Sequence, residues 1–237
     1  MTAAGNVLET AAYARLLALG FAPPTADGLL RLADLAGRLG EKEIVAALEE
    51  AGLVQLSAEH ARLFGPNGVC PPYQGLYEVD PFRETRQLAD LAGFYAAFGA
   101  DAEGPVHERP DHVGCELEFL AFLELNRQAA SEDENTDLEE TCRETEDVFL
   151  HDHLGRWLGR FCSDLAEATD HPVFGALAAV GGRFVEEELD RRGLVVEPVG
   201  PRRSQRSPAE QDEVTCGDAA GVVAGKSPLL QIHGKRL

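Results

Sequence analysis

Glu108-Arg109-Pro110-Asp111-His112-Val113-Gly114-Cys115-Glu116-Leu117-Glu118-Phe119-Leu120 decides how this chain is read. Pro110 stands where a helix can begin, because the first helical N–H has no partner in any case. Asp111 follows where the positive end of the helix dipole favours an acid. His112 and Glu116 are four apart and share a face. Val113, Leu117 and Leu120, joined by Phe119, supply an apolar stripe at helical spacing. The stretch predicts an amphipathic helix that opens on a charged end and runs to about residue 130.

Upstream, the same period recurs. Residues 7–19 repeat Leu8, Ala11, Ala12, Leu16 and Leu19, with Gly20 and Pro23-Pro24 as stop signals. Thr25 caps a second helix through Leu29, Leu30, Leu32, Leu35 and Leu39, closed by Gly40. A third helix over 41–51 carries Ile44, Val45 and Leu48, and Ser57 is a candidate cap for a fourth reaching Phe64. Residues 65–77, Gly-Pro-Asn-Gly-Val-Cys-Pro-Pro-Tyr-Gln-Gly-Leu-Tyr, exclude regular structure. Tyr73 and Tyr77 suit either a binding rim or a proline-stiffened connector packed on the core. Asp80 or Pro81 opens a long helix through Leu88, Leu91, Tyr95 and Phe98.

Downstream, residues 131–147 are densely acidic, which fits a solvated face, a mobile loop or a collar for a basic peptide. A further helix holds Phe149, Leu154, Trp157, Phe161 and Leu165, with Gly155 and Gly159 four apart for core packing. Pro172 starts the last core helix, ending near Arg192. Gly, Pro, Ser and Gln then replace the stripe, so residues 193–237 are expected to be a flexible, mostly disordered tail. The fold class expected is all-α: a single-domain helical bundle over 1–192.

Three separated elements resemble the TorD/DmsD/NarJ family of molybdoenzyme chaperones. They are Glu108, Pro110, Asp111, His112, Glu116 and Leu117 at the helix start, Pro71-Pro72-Tyr73 with Tyr77 in the loop, and Phe149, His153, Leu154 and Trp157. The Ala-Gly-Phe-Tyr-Ala-Ala-Phe-Gly run at 92–99 is similar too. The resemblance spans roughly residues 8–190 and leaves the tail out.

The charge balance sets limits. Residues 1–192 hold 15 Lys and Arg against 36 Asp and Glu, whereas 193–237 hold 6 against 5. So acidic a body repels nucleic-acid phosphates and favours a basic peptide, although acidity also simply keeps a protein soluble. Five cysteines without a Cys-x-x-Cys predict reduced thiols in a cytoplasmic protein. Neither a signal peptide nor a membrane span is expected. His151 and His153, two apart on a helix, point in nearly opposite directions and make a poor metal pair. His112 and Glu116, with Cys115 beside them, lack a fourth ligand. With no nucleophile elbow, phosphate loop or dinucleotide fingerprint, no enzyme, cofactor or metal is expected.

What the resemblance implies is a system-specific chaperone for the catalytic subunit of a dimethyl-sulfoxide-reductase-type molybdenum enzyme. It would hold the subunit's N-terminal twin-arginine signal until the cofactor is inserted, before export. The peptide-binding residues expected are Pro71, Pro72, Tyr73, Tyr77, Pro110, Asp111, His112 and Glu116. Asp111 would accept from a client cation or fix His112, and Glu116 would support His112 or add charge. The alternative is a helical assembly scaffold for a subunit that is not exported or, behind it, a metal-binding helical enzyme; in each case the protein is expected as a monomer or domain-swapped dimer. Arg202-Arg203, Arg206 and Leu229-Leu230-Gln231-Ile232 mimic a basic-then-apolar client, which makes the tail a candidate competitor.

Overall fold

The computed structural model describes residues 3–78, 81–101, 108–200 and 231–232. In chain order the helices are α1 (Ala3–Phe21), α2 (Ala26–Leu39), α3 (Lys42–Glu50), α4 (Leu53–Phe64), α5 (Pro81–Ala97), α6 (Val113–Glu132), α7 (Thr136–Phe149), α8 (Gly155–Ala168) and α9 (Pro172–Arg192). A single 3-10 turn, Gln74–Tyr77, interrupts the loop between α4 and α5. The strands β1 (Ala100–Asp101) and β2 (Gln231–Ile232) pair antiparallel, Ala100 opposite Ile232 and Asp101 opposite Gln231. The all-α expectation holds.

α6 lies at the centre, with α1 packed along it and α7 against its other side. Val113, Cys115, Leu117, Phe119, Leu120, Ala121 and Leu123 are all buried, and so are Glu116 and Glu124. A helix sheds its polar face in this way only when it is enclosed on every side. Around it, edge-to-face aromatic pairs fill the interior: Phe119 with Phe149 at 5.0 Å, and Phe21 with Phe161 at 5.3 Å. α8 packs on α9, which also covers α3.

Local signals set most boundaries. Thr25 Oγ accepts from the Gly28 N–H at 3.0 Å and opens α2, while Gly40 closes it in the left-handed region. Three expectations fail. Gly20 does not end α1. A Cβ there would lie 2.4 Å from a Leu177 methyl, so this glycine permits contact with α9 and the helix runs on to Phe21. Ser57 is no cap; it sits inside α4 and bonds back to the Leu53 carbonyl. Pro110 and Asp111 precede α6, whose first residue is Val113.

The acidic stretch is helical from Thr136, with Cys142, Glu146 and Phe149 turned inward and Asp137, Glu140 and Glu144 exposed. Between α7 and α8 the chain takes one π turn, Leu150–Leu154, instead of breaking. The widened turn exposes His151 and buries His153, which settles that the two do not share a site. Gly155 is required at its end, since a Cβ would lie 2.4 Å from the Leu150 carbonyl oxygen and 2.9 Å from Leu189.

Past Gly193 the chain lies along α8. Arg156 Nε donates to the Glu197 carbonyl and Val199 N–H to that of Arg156. Leu194 and Val199 still pack on the core. The basic triplet Arg202, Arg203 and Arg206 falls outside the described residues.

Candidate functional site

The two motifs that lie some forty residues apart in sequence are zipped together in space. Tyr73 and His112 form an antiparallel backbone bridge. Gln74 N–H donates to the Asp111 carbonyl at 3.0 Å, and Val113 N–H to the Pro72 carbonyl at 2.9 Å. Prolines make this possible: Pro71 and Pro72 have no N–H to leave stranded and hold the loop extended. Tyr95 of α5 adds a third strut, its hydroxyl donating to the Pro110 carbonyl at 2.7 Å.

His112 is the true N-cap of α6. Its Nδ1 accepts from the Gly114 N–H at 3.0 Å, which places the ring proton on Nε2. Burial pushes its pKa down to about 4, so the ring is neutral at pH 7. Its ring meets that of Tyr73 edge-on at 5.4 Å.

Asp111 is 1% exposed and already paired. Its Oδ2 accepts from the Gly75 N–H at 3.0 Å, and both oxygens are gripped by Arg109, at 2.9 Å each. A Cβ on residue 75 would stand 2.8 Å from Glu84 Cγ and 3.1 Å from Asp111 Oδ2, so the loop can approach only through glycine. Arg109 also reaches Glu84 Oε1 at 3.2 Å and lies over the Tyr73 ring at 5.2 Å. Tyr73 in turn donates to Glu108 Oε1 at 2.8 Å. Burial and that carboxylate raise the phenol's pKa well above its usual range.

Glu116 has neither expected role. Its carboxylate is fully buried and accepts from Trp157 Nε1 at 3.1 Å rather than bracing His112. Burial raises its pKa far above the carboxylate range, so it is uncharged and adds no negative field. Its Oε1 has no partner, and neither has Nε2 of Gln74, buried nearby in the loop. His153, delivered by the π turn, contacts Gln74 Oε1 through Nδ1 at 3.4 Å, and burial holds it too at about 4. Tyr77 packs on Trp157 at 5.5 Å.

The eight expected residues thus converge, in two layers. Pro71, Pro72, Tyr77, Asp111, His112 and Glu116 are buried, while Tyr73 and Pro110 are half-buried. Arg109, Glu84 and Glu108 join Tyr73 at the surface. Sequence reasoning missed Arg109 although it lies inside the quoted stretch, because a cation inside an acidic motif looks like a solvated residue. It missed Gln74 because nothing in the chain marks it.

Among the described residues no group of three or more His, Cys, Asp or Glu is arranged to hold a metal. No described helix is long and apolar enough to cross a membrane. A helical body that sinks its titratable groups beneath a proline-aromatic loop, and turns an arginine–tyrosine face outward, has the build of a protein-binding module. The chain belongs to the nitrate reductase delta subunit family, whose model matches residues 31–163. It is 36% identical over 156 residues to the selenate reductase assembly chaperone protein of Thauera selenatis, covering 62% of this chain and 78% of that one. It is 34% identical, with the same coverage, to the chlorate reductase assembly chaperone protein of Ideonella dechloratans. Chaperone protein TorD of Vibrio cholerae is 21% identical over 137 residues, 57% of this chain and 61% of that one. A crystal structure from Archaeoglobus fulgidus, described as a redox enzyme maturation protein, shares the fold with a TM-score of 0.53. It is 23% identical and covers 74% of this chain and 93% of its own. The TorD/DmsD/NarJ resemblance is thereby established, and the relatives are named as chaperones, not enzymes.

Proposed function

We propose that this protein is a cytoplasmic maturation chaperone for the catalytic subunit of a molybdenum oxidoreductase, and that it grips the subunit's N-terminal twin-arginine signal at the junction of the Pro-Pro-Tyr loop and α6. One observation carries the reading: the two family motifs are zipped into one surface, with Tyr73 and Pro110 beside Glu84 and Glu108. Aromatic and apolar groups suit the signal's hydrophobic run, and carboxylates suit its arginines. Pro71, Pro72, Tyr77, His112 and Glu116 hold that surface in shape; the half-buried Tyr73 and Pro110 meet the client. Holding the signal delays export until the cofactor is in place.

A second reading has support in the family model itself. In that reading a protein of the nitrate reductase delta subunit family scaffolds a subunit that is not exported, recognising its body rather than its leader. Co-purification separates the two. The catalytic subunit is co-expressed with this chain, with and without its N-terminal segment. Capture only with the segment supports the signal reading; equal capture of both forms sinks it in favour of the scaffold. Leader binding should also weaken with salt, since screening acts over about 10 Å at 0.1 M. Light scattering of the complex distinguishes a monomer from a domain-swapped dimer.

A further inference from the structure

The solvent-facing side of the junction is organised around a guanidinium. Arg109 meets Asp111 fork to fork, with Nε 2.9 Å from Oδ1 and Nη2 2.9 Å from Oδ2. Nη2 also reaches Glu84 Oε1 at 3.2 Å, and the guanidinium carbon stands 5.2 Å from the Tyr73 ring centre. The ring is held in place by its hydroxyl bond to Glu108. A bidentate carboxylate, a second carboxylate and an aromatic face are the set that recognises a planar guanidinium and does not recognise an ammonium equally well.

The exposures decide how such a site works. The Asp111 side chain is 1% exposed, while Arg109 above it is 43% exposed. An external group reaches Asp111 only by taking the place of Arg109. Arg109 sits two residues from Asp111 on a chain segment outside any helix, so its side chain can swing to solvent without unwinding an element. Asp111 would not be left as an unpaired buried charge during an exchange, because one guanidinium replaces another.

We propose that Asp111, Glu84 and Tyr73 form a guanidinium cage in which Arg109 is a resident placeholder, displaced by an arginine of the client. The client half of this statement rests on the signal-binding reading; the cage itself does not. Exchange of like for like makes recognition specific for arginine over lysine, and it keeps the cage closed to solvent between clients. It also gives Asp111 the client role expected of it, at one remove.

Three measurements on the full chain test this. Arg109→Ala empties the cage and should lower the melting temperature. Methylguanidinium should restore most of the loss in the variant while leaving wild type nearly unmoved, and methylammonium should not. No selective rescue overturns the cage. A synthetic leader peptide with two adjacent arginines should bind Arg109→Ala about tenfold tighter than wild type, because the internal competitor is gone. Its dilysine counterpart should show no such gain. Unchanged or weaker binding of the arginine peptide overturns the exchange. Where Arg109→Ala fails to fold, the wild-type Arg109 Nε–H resonance decides. It should shift and lose exchange protection when the arginine peptide is added, and a bound peptide that leaves it untouched overturns the proposal. Rescue by methylguanidinium with no leader binding to either protein upholds the cage and sinks the signal reading instead.

Discussion

α6 buries two glutamates two turns apart, and they live in opposite worlds. Glu124 sits in a web of charge. Arg127 pairs with it and with Glu146, and Arg192 reaches Glu124, Glu146, Asp147 and Glu188. Arg191 and Thr10 bind Glu188 as well, so α1, α6, α7 and α9 are tied at one knot. Glu116 has no cation at all, one indole N–H and one orphaned oxygen. Burial raises both carboxylates, but at Glu124 the arginines pull back. Closed charge networks fix a structure, whereas buried polar groups left half-satisfied mark where it stores the capacity to change. The knot is the anchor of this fold. The region under the Pro-Pro-Tyr loop is its adjustable end.

The sharpest way to break that contrast is at the knot. Arg192→Ala leaves Glu124 and Glu146 to share Arg127, and Glu188 with Arg191 and Thr10, and removing one partner from a buried ion pair costs about 3–5 kcal/mol. Urea unfolding should register a loss of that size, and a cost under 1 kcal/mol would show that water already reaches the knot.

At the other end the signature is a pH dependence. Folded Glu116 is neutral, while in the unfolded chain it ionises above its ordinary value of 4.5. Its contribution is therefore fully present below 4.5 and is lost as pH rises, by up to about 1.4 kcal/mol per unit. Glu116→Gln cannot ionise in either state. Measured against wild type at pH 5 and pH 8, the stability difference should move in favour of the variant at the higher pH. A difference independent of pH would mean that Glu116 is charged in the fold, and the adjustable end would then need a hidden cation.

This asymmetry also explains what could be read from the chain. The helices were legible because their signals are local: Thr25 and Gly40 around α2, and the stripe of α9 after Pro172. The convergence of Pro71, Tyr73, Asp111 and His112 was legible only through resemblance to a family, since nothing in spacing joins residues forty apart. The buried charges were not legible at all. Glu116 and Glu124 look like ordinary polar positions, and their partners, Trp157 and Arg192, lie 41 and 68 residues away. Gly20 misled for the same reason in reverse: it is a good local stop, overruled by a contact with Leu177 that the sequence does not display, whereas Ser57 falls inside a helix that has already begun at Leu53.

A smaller effect is expected at the cap. His112→Asn keeps an N-cap acceptor but removes a ring that unfolds into a base. His112 titrates near 4 when folded and at 6.5 when free, so between those values the unfolded chain takes up protons that the fold refuses. Wild-type stability should fall as pH drops from 6.5 to 4, and the variant's decline should be shallower. Identical acid limbs would place the proton load on His153, which burial holds at a similar value.

The smallest change in stability is expected from Tyr73→Phe. It deletes one half-exposed hydroxyl bond to Glu108 and keeps the ring against His112 and under Arg109. A solvent-screened bond of this kind is worth about 0.5 kcal/mol, so the melting temperature should scarcely move. Leader affinity should move more, because the hydroxyl is what stops the ring from turning away from the guanidinium. A variant that melts as wild type does but binds an arginine leader several-fold more weakly would place function at the adjustable end. A variant that loses stability and affinity in step would make this end as rigid as the knot, and the contrast between the two glutamates of α6 would carry no functional meaning.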